Sequence, residues 1–235
     1  MRALNPSLAQ VDWEEIALQL DLEGYALLPN LINGDLAGYL ASQAEERCTT
    51  QRSTLESLGL GRGERIDFGP RAPSPLDDLR AQFYRHLTVI ANRWNEDLGM
   101  DSRYPEELDE FLESNRLAGQ INPQSHLVKL GAEGYLALHQ SAAGETVFPM
   151  QVVALLSEPG IDFLGGEFVM TEQRPRMQSR PMVLPLKLGD AAIITTSVRP
   201  FRGARGHYRV NMKHAISRLR QGQRIGLELT FHDSQ

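Results

Sequence analysis

Two histidines in the second half of this 235-residue chain each close a run that reads as a strand. His139 ends Gly134-Tyr135-Leu136-Ala137-Leu138, and His214 follows Tyr208-Arg209-Val210-Asn211-Met212-Lys213. If the fold brings these strand ends together, two imidazoles and a carboxylate near the first of them would form a facial ligand set. That set holds Fe(II) in non-haem oxygenases and leaves positions open for a bidentate cosubstrate and dioxygen. Arg224 stands ten residues beyond His214, on the next expected strand. A guanidinium there can pair bidentately with the distal carboxylate of 2-oxoglutarate, and Ser217 and Thr230 could add hydrogen bonds. Spacing alone leaves a plainer alternative open, since a histidine within a strand is most often structural and Arg-x-x-Leu is common in a last strand. His86, inside a helical stretch, reads as a surface or packing residue, and His232, near the C-terminus, reads as a polar residue of the terminal strand.

The elements that would position these residues fall into two parts. From Val11 to Leu22 the spacing predicts a short amphipathic helix, followed by a strand in "GYALLPNL" and a helix that starts from Asn33 as N-cap. Residues 49–75 are polar and rich in Gly, Arg and Pro, and read as a long loop of the kind that serves as a lid. Leu76 to Leu98 is expected as a long helix burying Leu79, Phe83, Leu87, Ile90 and Trp94, and a further helix is expected from Pro105. Beyond residue 125, eight short apolar or alternating runs are separated by turn chemistry. The expected fold is mainly β with N-terminal helices: a double-stranded β-helix (jelly roll, cupin-like), two packed antiparallel sheets buttressed by helices. We expect one domain over 1–235, with 1–124 a mostly helical buttress and lid loop and 125–235 the jelly-roll core.

Bulk properties narrow the class. Hydrophobic content of 41% with 23% charged residues reads as globular. No apolar run reaches the length of a membrane span, and the N-terminal residues lack the apolar core of a signal peptide. A single cysteine, Cys48, excludes an intramolecular disulfide framework and a thiolate-rich metal site, and fits a cytoplasmic protein. The formal net charge of −6 argues against binding long nucleic acids. It leaves room for a small anion held by local arginines. Nothing in the sequence speaks to oligomeric state.

At these residues the chain resembles a bacterial family of Fe(II)/2-oxoglutarate oxygenases described as acting on damaged nucleic acid by oxidative demethylation. The resemblance runs from about Leu127 to the end. It rests on "HQ", "GE-x-VFP-x-Q", "LLSEPG-x-DF-x-GGEFV", "TEQRPRMQSR", "RG-x-YRVNM-x-H" and the closing "FHD". It implies Fe(II), 2-oxoglutarate and dioxygen as cofactors, His139 and His214 as metal ligands, and Arg224 as the 2-oxoglutarate anchor, with Arg218 and Arg220 as weaker candidates for that anchor. The family's third ligand is an aspartate two residues after the first histidine. Here that position is Ser141, followed by Ala142 and Ala143.

Three readings of this departure stand side by side. The chain is a degenerate, catalytically silent binding protein; or Glu145 supplies the carboxylate; or the vacancy is the function. In Fe(II)/2-oxoglutarate halogenases the aspartate gives way to a small residue, commonly Ala or Gly, and chloride coordinates iron in its place. The last reading is preferred, because replacing one carboxylate by one chloride keeps the anionic ligand count and the rest of the motif is intact. It makes Ser141 the chloride site and the chain similar to nucleotide halogenases, with hydroxylation or demethylation of a nucleobase or nucleotide as the alternative. Arginine-rich segments support a small anionic, nucleotide-like substrate, with Arg62, Arg65, Arg174, Arg176 and Arg202 as candidate contacts; Arg71, Arg180, Arg199 and Arg205 lie in the same segments.

Overall fold

The computed structural model describes residues 8–45, 51–69 and 72–235, so Cys48 and Arg71 lie outside the described residues. In chain order the elements are α1 (Trp13–Glu23), β1 (Tyr25–Leu28), α2 (Gly34–Gln43), β2 (Gln51–Thr54), β3 (Gly61–Arg62), β4 (Glu64–Asp67), α3 (Leu76–Asp97) and α4 (Leu108–Leu117). There follow β5 (Asn122–Pro123), β6 (His126–Leu130), β7 (Tyr135–His139), β8 (Met150–Leu155), β9 (Phe163–Gly165), β10 (Phe168–Gln173), β11 (Arg180–Leu184) and β12 (Ala191–Thr195). The chain closes with β13 (Val198–Gly203), β14 (Gly206–Ile216), β15 (Leu219–Gly222), β16 (Arg224–Leu229) and β17 (Asp233–Ser234).

Two antiparallel sheets make the sandwich. One has the order β1-β12-β8-β16-β6-β4-β2, and the other β11-β10-β14-β7-β3 with β13 also paired to β14. This is the expected jelly roll. Strand β16 is central in the first sheet, and its alternation decides what faces where. Ile225, Leu227 and Leu229 join the core between this sheet and the helices. Arg224, Gly226 and Glu228, at the alternate positions, therefore point between the two sheets, where Val128, Leu130, Leu136, Met170, Met212 and Ile216 form the second core.

The helices form for local reasons. Asp12 caps α1 by accepting from Glu14 N and Glu15 N, and Gly24 ends it in the left-handed region. Asn33 caps α2 as expected, its side chain accepting from Leu36 N. Helix α3 buries all five of the expected apolar residues. Its Arg80 donates to the Thr230 and Phe231 carbonyls, tying α3 to the chain just beyond β16. His86 stacks on Trp13 with ring centroids 4.2 Å apart, a packing role. No helix among the described residues is long and apolar enough to cross a membrane.

Two expectations are corrected. The segment expected as a loop over 49–75 contains β2, β3 and β4, which extend both sheets. Its glycines are the cause of the misreading: Gly61 lies at φ 124°, and a Cβ there would stand 2.4 Å from the Tyr135 carbonyl oxygen. Glycine here permits close strand pairing and does not mark a loop. Helix α4 begins at Leu108 and not at Pro105. Asn92 holds both the N–H and the carbonyl of Tyr104, and Tyr84 donates to the Pro105 carbonyl, which keeps this backbone out of the helix. The arginine-rich "VRPFRGARGHYR" forms the β13–β14 hairpin.

Phe148 is fully buried among Tyr84, Tyr104, Phe111 and Phe231, with centroids 5.0, 5.0, 5.9 and 5.2 Å away. Phe148→Ala is expected to cost about 3–5 kcal/mol, read as a lowered denaturant midpoint with an unchanged m value.

Candidate metal centre

Register places the two histidines together. In the β7–β14 pair His139 lies opposite His214, and the pairing then shifts so that Leu136 lies opposite Ile216. The imidazole centroids are 4.3 Å apart. His139 Nδ1 is 2.9 Å from the Ala137 carbonyl. A carbonyl only accepts, so Nδ1 carries the proton and Nε2 keeps its lone pair for a ligand. His214 is fully buried and stacks on Phe168. Burial pushes its pKa down to about 4, which keeps the ring neutral and able to coordinate near pH 7.

The carboxylate comes from an unexpected place. His139, His214 and Glu228 each offer one ligand atom, and these atoms lie within 4.8 Å of one another. Glu228 Oε2 is 3.9 Å from His214 Nε2 and 3.8 Å from His126 Nε2. Gln151 Nε2 stands 3.4 Å from His214 Nε2 and 3.5 Å from Glu228 Oε2. Two buried atoms at this cluster, His214 Nδ1 and Gln151 Oε1, have no hydrogen-bond partner. Two imidazoles, a carboxylate and unsatisfied polar atoms in an interior are a donor set that fits a divalent transition metal. Glu145, the sequence's candidate for a substitute carboxylate, is exposed and outside this group.

A cavity of about 160 Å³ opens beside the cluster. Its wall includes His139, Ser141, Ala142, Ala143, Glu228 and His126, with Arg65, Gln124 and Thr230 on the polar side and Leu55, Leu60 and Leu136 on the apolar side. Ser141 therefore faces the space next to His139, and its backbone N–H donates to the Thr196 carbonyl.

Arg224 lies on the inward face of β16, on the same side as Glu228. Its Nε donates to the Gly166 carbonyl, and no carboxylate pairs with it among the described residues. A Cβ on Gly226 would stand 2.9 Å from its Nη1, so the guanidinium folds along the strand toward Glu228 through the space that Gly226 leaves open. Burial pushes its pKa down to about 10, and it remains a cation.

The other anchor candidates are held elsewhere. Arg218 is exposed and paired with Glu133, Arg220 is exposed, and the Ser217 hydroxyl bonds Glu167. Thr230 is buried in the cavity wall, within reach of the Ser125 hydroxyl. Among the candidate substrate arginines, only Arg65 lines the cavity, where it pairs with Asp67 and donates to Gln124. Arg62 is exposed on β3, and Arg176 is exposed with φ 62°. Arg174 pairs with Glu172 and covers the Phe201 ring. Arg202 lines a separate hollow with Asp21, Arg93 and Asp97. Arg199 is buried against Glu172 and donates to the Asp21 and Leu22 carbonyls at the end of α1, a structural role.

Glu228 is the residue that sequence reasoning missed. "RIGLELTF" alternates, and the alternation reads as a strand without saying what its polar face meets. The available signal was the period itself, which puts Glu228 on the same face as Arg224.

Residues 63–234 match the model of an oxygenase family described as catalysing oxidative methylation of damaged DNA. An uncharacterized protein of Mycobacterium tuberculosis strain H37Rv is 40% identical over 166 residues, covering 69% of this chain and 71% of that protein. Among solved structures, a 2OG-Fe(II) oxygenase family oxidoreductase from Burkholderia pseudomallei aligns with a TM-score of 0.55 at 17% identity, over 96% of this chain and 93% of that one. A Pseudomonas putida prolyl-4-hydroxylase aligns with a TM-score of 0.53 at 12% identity, over 95% and 100%. At these identities the likeness is one of fold.

Proposed function

The chain belongs to the family of oxygenases described as catalysing oxidative methylation of damaged DNA, and on that premise we propose that it is an enzyme that uses Fe(II), 2-oxoglutarate and dioxygen to oxidise a carbon–hydrogen bond of a small, nucleotide-like anion. The observation that carries this reading is the meeting of His139, His214 and a carboxylate beside a cavity. Bound iron supplies the oxidising chemistry, driven by decarboxylation of 2-oxoglutarate. The remaining tasks fall to this chain's own side chains. The Ala137 carbonyl fixes the His139 ring, and the interior keeps His214 neutral. Arg224 is assigned the distal carboxylate of 2-oxoglutarate. Leu55, Leu60 and Leu136 limit water around the reacting bond, while Arg65, Gln124 and Thr230 offer polar contacts to the substrate. The preference for a small anion over a DNA strand rests on Arg65 in the cavity wall and the net charge of −6.

Oxygen insertion, as hydroxylation or demethylation, is the favoured outcome, because an anionic ligand already stands at the cluster. A second reading, transfer of chloride, rests on Ser141, Ala142 and Ala143 lining the same cavity without a carboxylate. Anaerobic addition of Fe(II) and 2-oxoglutarate is expected to produce a visible charge-transfer band, and its absence would overturn the proposal. On exposure to air with candidate nucleotides, mass spectrometry is expected to find oxygenated products with and without chloride. A chlorinated product at saturating chloride would establish the second reading.

A further inference from the structure

Glu228 is a carboxylate in the wrong electrostatic surroundings for a purely structural role. Its side chain is only 4% exposed. Among the described residues, no lysine or arginine pairs with it. The neighbours that approach it are imidazole nitrogens at 3.8 and 3.9 Å, beyond hydrogen-bond reach, and the Gln151 amide at 3.5 Å. His126 Nδ1 is 2.7 Å from the Gln124 carbonyl, so that ring's proton is on Nδ1 and its Nε2 lone pair faces Glu228. A buried carboxylate is retained when it is paired or coordinates a metal. Here several lone pairs converge on one small space, and the guanidiniums that act on Glu228, Arg65 and Arg224, do so without an ion-pair contact.

We propose that Glu228 is the third metal ligand of this protein, supplied by β16 of the seven-stranded sheet in place of a carboxylate at Ser141. The proposal rests on the reading of this cluster as the iron centre. It also accounts for Ser141. With the anionic ligand arriving from the opposite sheet, a carboxylate at position 141 is redundant, and the small residues there leave the His139 side of the cluster open to the cavity. The inner coordination set is then two imidazoles and one carboxylate, and no halide is required to balance the charge. His126, whose Nε2 abuts the same carboxylate oxygen, is a positioning residue for Glu228.

Co(II) titration of the full chain, followed by its visible absorption and by calorimetry, tests the assignment without turnover. Glu228→Gln keeps shape and volume and is expected to lower Co(II) affinity by more than about 100-fold, beyond the effect typical of an outer-shell residue. Adding Ser141→Asp to Glu228→Gln is expected to restore at least about tenfold of that loss, again on the scale of single ligand-shell changes. Circular dichroism of the metal-free variants is expected to match wild type. Unchanged Co(II) affinity in Glu228→Gln, with wild type binding normally, would remove Glu228 from the ligand set and leave the oxygenase reading intact. A loss that Ser141→Asp fails to restore would assign Glu228 to packing and overturn the proposal. If wild type itself bound no Co(II) or Fe(II), both readings would fall together.

Discussion

Arg224→Met is expected to weaken 2-oxoglutarate binding by about 2–5 kcal/mol, roughly 30-fold to several thousand-fold in affinity, while leaving Co(II) affinity near its wild-type value. The guanidinium is buried, has no carboxylate partner among the described residues, and donates through Nε to Gly166. The strand rise puts its Cα about 13 Å from that of Glu228, and the side chain folds back over Gly226 into the intervening space. On the proposed reading, a short dicarboxylate would span from the guanidinium to the metal cluster. Methionine keeps the length and apolar stem and removes the charge, so the loss reports on the ion pair and not on packing. The measurement is titration of 2-oxoglutarate into anaerobic Fe(II) protein, followed by the charge-transfer band. An unchanged affinity would move the anchor to Arg65, the guanidinium in the wall of the cavity beside the cluster.

Acid sensitivity is the second large effect expected. Burial, assisted by Arg80, pushes His232 down to about 4. The Phe148 N–H points at His232 Nδ1 from 3.4 Å, which requires a lone pair there. The unfolded chain takes up this proton near the ordinary value of about 6.5. The native state does so only near 4, so the unfolded state binds more protons throughout that window. The stabilisation is therefore complete above about pH 6.5 and is lost as pH falls toward 4, by about 3 kcal/mol in total from the difference between the two values. His232→Asn keeps an acceptor for the Phe148 N–H and removes the titration. Urea denaturation of the metal-free protein from pH 7 to pH 4 is expected to show a shallower loss in the variant by about that amount. Parallel curves for the two proteins would refute the assignment.

The parts of this protein that were legible in its sequence are those specified over short spans. Asn33 marked one helix start, and the 3.6-residue period of α3 placed Phe83, Leu87 and Trp94 in the core. His139, His214 and Arg224 each stood at a strand end or start within a polar motif. What escaped the sequence depended on partners far along the chain. The glycines of residues 59–63 signal a loop by composition, yet they permit pairing with β7, more than 70 residues away. The face to which Glu228 belongs cannot be settled from β16 alone. An alternating strand has one polar side whether that side meets water or a second sheet, and here all six residues are buried. The same limit applies to the arginines. Arg65 and Arg202 belong to similar basic segments, and only the register of β4 beside β6 brings Arg65 to the cavity.

The cluster draws His139 and His214 from one sheet and Glu228 from the other. Occupancy of such a centre rivets the two layers of the sandwich. A site whose protein ligands all lay in one layer would stiffen that layer alone. With Glu228 as the third ligand, any slippage of the sheets against each other would be resisted by the binding free energy of the ion. Slow amide exchange in β14 and β16 should therefore rise and fall together with metal loading, as though the two strands, never hydrogen-bonded to one another, formed a single breathing unit.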